Sequence, residues 1–204
     1  MRGTIPSVKY KDVRASKQMT KRILQVKKEL LDETNLQIDI LYHAAAIALN
    51  RYHGWTADEI CNFFHKAEEA GEDCTKDFEL SMIELCWEEL GIELMAEGIE
   101  KRWFEVSFLD SEKDLDRMKM DQFKYYQFFK NQIPWVPAQI TASILIALYR
   151  AADWKPETCG KFISELEEVK FYYKKDPEVL REQCFEECGL KLQENFWVFE
   201  EGNK

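Results

Sequence analysis

Two pairs of potential metal ligands stand four residues apart in this chain, Cys61 with His65 and Cys184 with Cys188. On a helix, residues four apart share a face, so each pair could contribute to one metal site. The chain has no Cys-x-x-Cys pair, however, and cysteine is commonly a small apolar core residue. We therefore predict that the six cysteines are free thiols and that the chain holds no metal or other cofactor.

Side chains for acid–base or nucleophilic catalysis do not form a recognisable set. Neighbouring glutamates recur as Glu88–Glu89 and Glu186–Glu187, but adjacent helix positions point about 100° apart and form no carboxylate dyad on their own. The sequence contains no Gly-rich phosphate loop, no HExxH motif and no nucleophile elbow. The only histidines, all in the first half of the chain, are His43, His53 and His65. We predict that the protein is not an enzyme.

The clearest feature of the sequence is an internal repeat. Residues 47–63 match residues 146–162 at a shift of 99, with six identities in seventeen positions. Further along, "CWEELGIEL" (86–94) matches "CFEECGLKL" (184–192) at a shift of 98, with five identities in nine positions. Because order and spacing are both kept, we interpret the chain as a tandem duplication.

Start and stop signals predict helices in both copies. Thr56 and Glu59 form a capping box in the first copy, and Pro156 occupies the first helical position at the matching place in the second. Gly91 and Gly189 are suitable helix stops. Helices are also predicted at about 18–33, 36–51 and 114–131. The fold class is therefore all-α, with two tandem pseudo-symmetric repeats of three to four helices each.

The same signals suggest where the parts of the chain begin and end. We expect a basic arm, a first repeat, a charged connector, a second repeat and a tail. Their bounds are 1–17, 18–94, 95–113, 114–192 and 193–204. The aromatic clusters at 123–129, 171–173 and 196–199 are expected to belong to the core or to a protein interface, with stacking on single-stranded bases as the alternative.

Charge is unevenly distributed along the chain. The net charge is −10, yet residues 1–28 carry nine Lys or Arg and one Asp, so this segment is +8 and the remainder is −18. A basic arm on an acidic body can bind nucleic acid, an acidic surface on a partner, or its own body. The candidate nucleic-acid contacts are Lys9, Lys11, Arg14, Lys17, Lys21 and Arg22.

The segment "IALNRYHGWTADEICNFF" followed by "CWEELGIEL" resembles short helical proteins encoded by phages and prophages of Gram-positive bacteria. The resemblance covers about residues 36–94 and, more weakly, 138–192. It implies a bacterial cytoplasmic setting and a partner-binding role, and no functional residue carries over from it. The chain departs from the pattern in being doubled and in having a basic arm.

We therefore expect a non-catalytic protein that binds another protein through an acidic helical face or an aromatic patch. A more specific form is an anti-CRISPR-like inhibitor whose carboxylates block a nucleic-acid-binding host defence enzyme. The alternative is nucleic-acid binding through residues 1–28, with the acidic body forming a homodimer. The candidate partner-binding residues are Glu79, Glu84, Glu88, Glu89, Glu186, Glu187 and Trp197.

The apolar segments of the sequence give an expectation for the cellular location of the protein. The first residues have no apolar core of a signal peptide, and no apolar run approaches the roughly 20 residues that a membrane span requires. We expect a cytoplasmic protein that does not enter the membrane.

Overall fold

The computed structural model describes residues 8–74, 82–95, 126–127, 130–193 and 198–201. Helices dominate these residues, which confirms the predicted all-α class. In chain order the helices are α1 Val8–His53, α2 Ala57–Cys74, α3 Met82–Leu90, α4 Val136–Ala151, α5 Pro156–Tyr172 and α6 Pro177–Cys188. A short 3-10 turn, Ile133–Trp135, precedes α4, and two strands follow α6: β1 Leu190–Gln193 and β2 Val198–Glu201.

The chain divides into two compact units. The first comprises Met1–Glu33 and Ile99–Pro134, and the second comprises Thr34–Gly98 and Trp135–Lys204. In the first unit the structure describes the α1 residues up to Glu33 together with 126–127 and 130–134, and Ile23 and Val26 of α1 are buried as their helical spacing predicts. The rest of α1 and the other helices and strands named above belong to the second unit, and the boundary after Pro134 falls within the 3-10 turn.

Helix α1 is longer than the sequence predicts. We expected one helix at 18–33 and another at 36–51, but the structure has a single helix through both and through the last ten residues of the basic arm, 8–17. The separation was wrong because nothing in the chain interrupts the helix: no Gly or Pro occurs between Pro6 and Gly54.

The predicted start and stop signals form as expected. The Glu59 backbone N–H donates to Thr56 Oγ1 at 3.3 Å, and the Thr56 N–H donates to Glu59 Oε2 at 2.8 Å, which completes the capping box. Pro156 begins α5, and Asp176 caps α6 by accepting from the backbone N–H groups of the first turn. Gly91 and Gly189 end α3 and α6 with φ of 66° and 73°, a left-handed conformation that glycine adopts without a Cβ clash.

The antiparallel pair of β1 and β2 was not predicted. Leu190 pairs with Glu201 and Leu192 pairs with Phe199 within what we expected to be the end of the second repeat and a tail. Each strand has four residues, too few for an alternating pattern to stand out in the sequence. Phe199 is fully buried, so β2 closes part of the core.

The core of the second unit surrounds α4. Helices α2, α3 and α5 contact α4, β2 packs on α2, and β1 packs on α6. Residues 44–49 of α1, including four alanines, are completely buried, as are Leu145 and Leu148 of α4. None of the helices described by the structure has an apolar stretch long enough to cross a lipid bilayer.

Some predictions concern parts of the chain that the structure does not describe. These are the connector beyond residue 95 and most of the helix expected at 114–131. They stay predictions.

Candidate functional site

A cleft of about 880 Å³ opens on the second unit between α1, α6 and β1. All three elements contribute apolar side chains to its lining. These apolar residues include Leu36 from α1, Phe185 from α6, and Leu190 and Leu192 from β1. We refer to this space below as the cleft.

Three polar side chains meet in the cleft and hold α1 to α6. Arg181 donates two hydrogen bonds to the Asp39 carboxylate, one from Nε at 2.9 Å and one from Nη2. His43 Nδ1 lies 2.6 Å from the Asp39 carbonyl oxygen and 3.1 Å from Oδ1 of its carboxylate. Asp39 and His43 are buried, whereas Arg181 is half exposed.

The Asp39 carboxylate is ionised in this setting. Burial raises the pKa of Asp39, but hydrogen bonds from His43 and Arg181 and the attraction of the Arg181 charge outweigh burial, so the pKa lies below its ordinary value. Lys191, the second cation of the cleft, lies 4.9 Å from the centre of the Phe185 ring. The buried charge of Asp39 is therefore paired within the protein.

The outer edge of the cleft is acidic. Glu178, Glu182 and Glu186 stand four residues apart on α6, so they share one face of the helix, and all three are exposed. Glu178 and Glu182 also line the cleft. We call these three residues the acidic row. The cleft and its acidic row together combine an apolar surface with surplus negative charge.

The predicted partner-binding residues that the structure describes lie on two different helices, α3 and α6. Glu186 belongs to the acidic row, Glu88 is exposed on α3, and Glu84 is half-buried. Glu89 and Glu187 instead face arginines of the protein itself. Glu79 and Trp197 lie outside the described residues.

Two ion pairs join the segments that match in the sequence repeat. Arg51 binds Glu187 through two hydrogen bonds and also donates to the Tyr173 hydroxyl, while Arg150 binds Glu89, with Nε 3.1 Å from Oε2. Arg51 lies in the first copy of the repeat and Glu187 in the second, whereas Arg150 lies in the second copy and Glu89 in the first. Burial raises the pKa of Glu187, but the bonds from Arg51 prevail and the pKa is lowered.

Aromatic contacts repeat in the same way. The Trp55 and Phe63 rings meet edge to face at 5.5 Å, and the matching Trp154 and Phe162 rings do so at 5.6 Å. The two tryptophans also meet each other, at 5.9 Å. Each tryptophan backbone N–H bonds the carbonyl of a leucine six residues earlier, Leu49 or Leu148.

Five cysteines are unbridged thiols in the structure: Cys61, Cys86, Cys159, Cys184 and Cys188. Burial raises the pKa of the Cys86 thiol to about 12 and that of Cys159 to about 11, so neither is a thiolate at neutral pH. Cys188 bonds the Ala46 carbonyl, with Sγ 3.7 Å from the oxygen. Among the described residues, no group of three or more His, Cys, Asp or Glu is arranged to hold a metal ion.

The basic segment and the aromatic cluster at 171–173 both present side chains to solvent. Lys21 and Arg22 are exposed on α1, and Lys9, Lys11, Arg14 and Lys17 belong to the same helix. Phe171 is 84% exposed and Tyr172 is also exposed, so these two residues do not belong to the core, and their role in a protein interface or in base stacking stays a prediction. Tyr173 alone is buried, where it meets Arg51.

Sequence reasoning did not find the cleft. Its polar centre joins Asp39 to Arg181, which are 142 residues apart. One local signal was available: Asp39 and His43 are polar residues four apart on the face that leads into an alanine-rich run. Comparison of the chain with protein-family models, curated proteins and solved structures gave no match.

Proposed function

We propose that the chain is a tandem duplication whose two halves pack about a pseudo-two-fold axis. The proposal is supported by the repeated sequence, by the reciprocal Arg51–Glu187 and Arg150–Glu89 pairs, and by the matching tryptophan–phenylalanine contacts. When a two-fold axis relates two equivalent surfaces, each contact between them occurs twice, once in each direction.

The function that we propose is non-catalytic protein binding through the cleft and its acidic row. The observation that carries it is the placement of Glu178 and Glu182 beside an apolar cleft. Such a surface fits a basic, amphipathic segment, because leucine-like side chains can enter the cleft while lysines or arginines meet the glutamates.

The resemblance to phage and prophage proteins gives this proposal a more specific form. An acidic surface can occupy a Lys/Arg-lined nucleic-acid channel, so the chain would act in the bacterial cytoplasm as an inhibitor of a nucleic-acid-binding defence enzyme. Its binding would then weaken steeply with salt, since charge pairs at an exposed interface are screened.

The test is capture of partner proteins from a bacterial lysate at low and high salt, with tagged wild-type chain, Glu182→Lys and Glu88→Lys as baits. The two variants carry the same charge reversal at exposed helix positions, but only Glu182 lines the cleft. We expect the wild type and Glu88→Lys to retain the same proteins, identified by mass spectrometry, and Glu182→Lys to lose them. High salt should release them from the wild type and from Glu88→Lys. Equal capture by both variants would contradict the proposal.

A further inference from the structure

The first unit presents a basic and apolar stripe on α1. Lys21, Leu24, Lys28 and Leu31 follow one another at spacings of three, four and three residues, so they lie along one face of the helix. All four are exposed, and the two leucines have 62% and 59% of their surface accessible. We call these four residues the basic stripe.

The basic stripe and the cleft are complementary in two respects. The stripe alternates leucine with lysine, and the cleft combines an apolar lining with Glu178 and Glu182 at its edge. Leu36, which lines the cleft, is 40% exposed, so apolar surface is accessible in the cleft as well as on the basic stripe. Charge and hydrophobicity therefore match without any rearrangement of the ion pairs inside the cleft.

We propose that the cleft of one molecule binds the basic stripe of a second molecule of the same chain. This inference rests on the proposed function, because it uses the same cleft and names its occupant. Every molecule carries both surfaces, so exchange between two molecules forms the contact twice and covers both sets of exposed leucines.

The test is sedimentation equilibrium of the full chain and of charge-reversed variants. The stripe variant is Lys21→Glu with Lys28→Glu, and the cleft variant is Glu178→Lys with Glu182→Lys. We expect the wild type to self-associate and each variant alone to associate roughly a hundredfold more weakly, because like charges then face each other. Glu88→Lys is the control and should associate like the wild type.

Mixing the two variants provides the sharpest result. The glutamates of the stripe variant fit the lysines of the cleft variant, and the remaining stripe and cleft keep their original charges. The mixture should therefore form mixed complexes at concentrations where each variant alone stays largely monomeric. Leu24→Gln with Leu31→Gln, which leaves the charge unchanged, should weaken association as well. Circular dichroism of each variant serves to check that it is folded.

A wild type that stays monomeric at all concentrations would overturn the inference, and so would a mixture that does not associate. If capture of other proteins still depends on Glu182, the proposed function stands although the self-association fails. Stripe variants that lose retention of DNA or RNA but associate normally would also overturn it and favour the nucleic-acid alternative.

Discussion

Replacement of Phe162 with alanine is expected to lower the free energy of unfolding by about 3–5 kcal/mol, a typical cost for removing a buried ring. Phe162 is completely buried, and its ring contacts Trp154 at 5.6 Å and His53 at 6.0 Å. The cavity would lie between α5, the end of α1 at His53 and Trp154, which follows α4. Urea denaturation followed by circular dichroism measures the loss.

The same substitution at Phe63 tests the duplication. Phe63 occupies the matching position, is almost fully buried and meets Trp55 at 5.5 Å. We expect a loss in the same range, about 3–5 kcal/mol. Phe171→Ala is the control, because that side chain is 84% exposed and its removal should change stability by less than about 0.5 kcal/mol. A loss at Phe162 no larger than at Phe171 would contradict the packing described above.

Replacement of Arg181 with methionine should produce the second large effect, about 2 kcal/mol of lost stability near neutral pH. Removal of one partner from a fully buried ion pair costs about 3–5 kcal/mol, and the figure is smaller here because Arg181 is 51% exposed and therefore screened by water. The loss arises from Asp39, which stays buried with only His43 to stabilise its charge.

The pH dependence of this variant has a definite sign. In the wild type the pKa of Asp39 is lowered on folding, so the stabilisation is present above its unfolded value of about 3.9 and is lost as pH falls through the folded pKa. Arg181→Met removes hydrogen bonds and a charge that lower this pKa, so the pKa rises. The deficit relative to the wild type should therefore shrink as the pH falls below about 4.

Asp39→Asn provides the control for this prediction. Once the carboxylate is absent, adding Arg181→Met should cost little further stability, and the difference between the single and double variants should not change with pH. Thermal denaturation from pH 7 to pH 3 measures all four proteins. A deficit that is the same at every pH would show that Arg181 acts through packing and not through Asp39.

Local signals in the sequence were sufficient for much of the fold. The capping box at Thr56 and Glu59, Pro156 at the start of α5, and the glycines at 91 and 189 each act within one turn of chain, so they could be identified without tertiary information. The single helix α1 was predicted less well, because the absence of a helix breaker is a weaker signal than its presence.

The candidate site depended on contacts between distant parts of the chain. Glu89 and Glu187 have the same local pattern as Glu88 and Glu186, and nothing local reveals that arginines 61 and 136 residues away bind the first two. The cleft likewise requires β1, whose four-residue strand forms only because β2 pairs with it. The acidic row has a readable spacing of four, but its place beside a cleft is a property of the tertiary structure.

The most direct measurement of protein binding at the cleft uses a synthetic peptide. The peptide is a labelled basic helix in which lysine and leucine alternate at spacings of three and four residues, as in the basic stripe. It is titrated with the chain, and fluorescence anisotropy reports binding. We expect binding that salt weakens, an affinity roughly tenfold lower for Glu182→Lys, and no change for Glu88→Lys. The same peptide with glutamate in place of lysine should not bind. Equal affinity of the wild type and Glu182→Lys for the basic peptide, or no binding at low salt, would contradict a cleft that receives basic amphipathic segments.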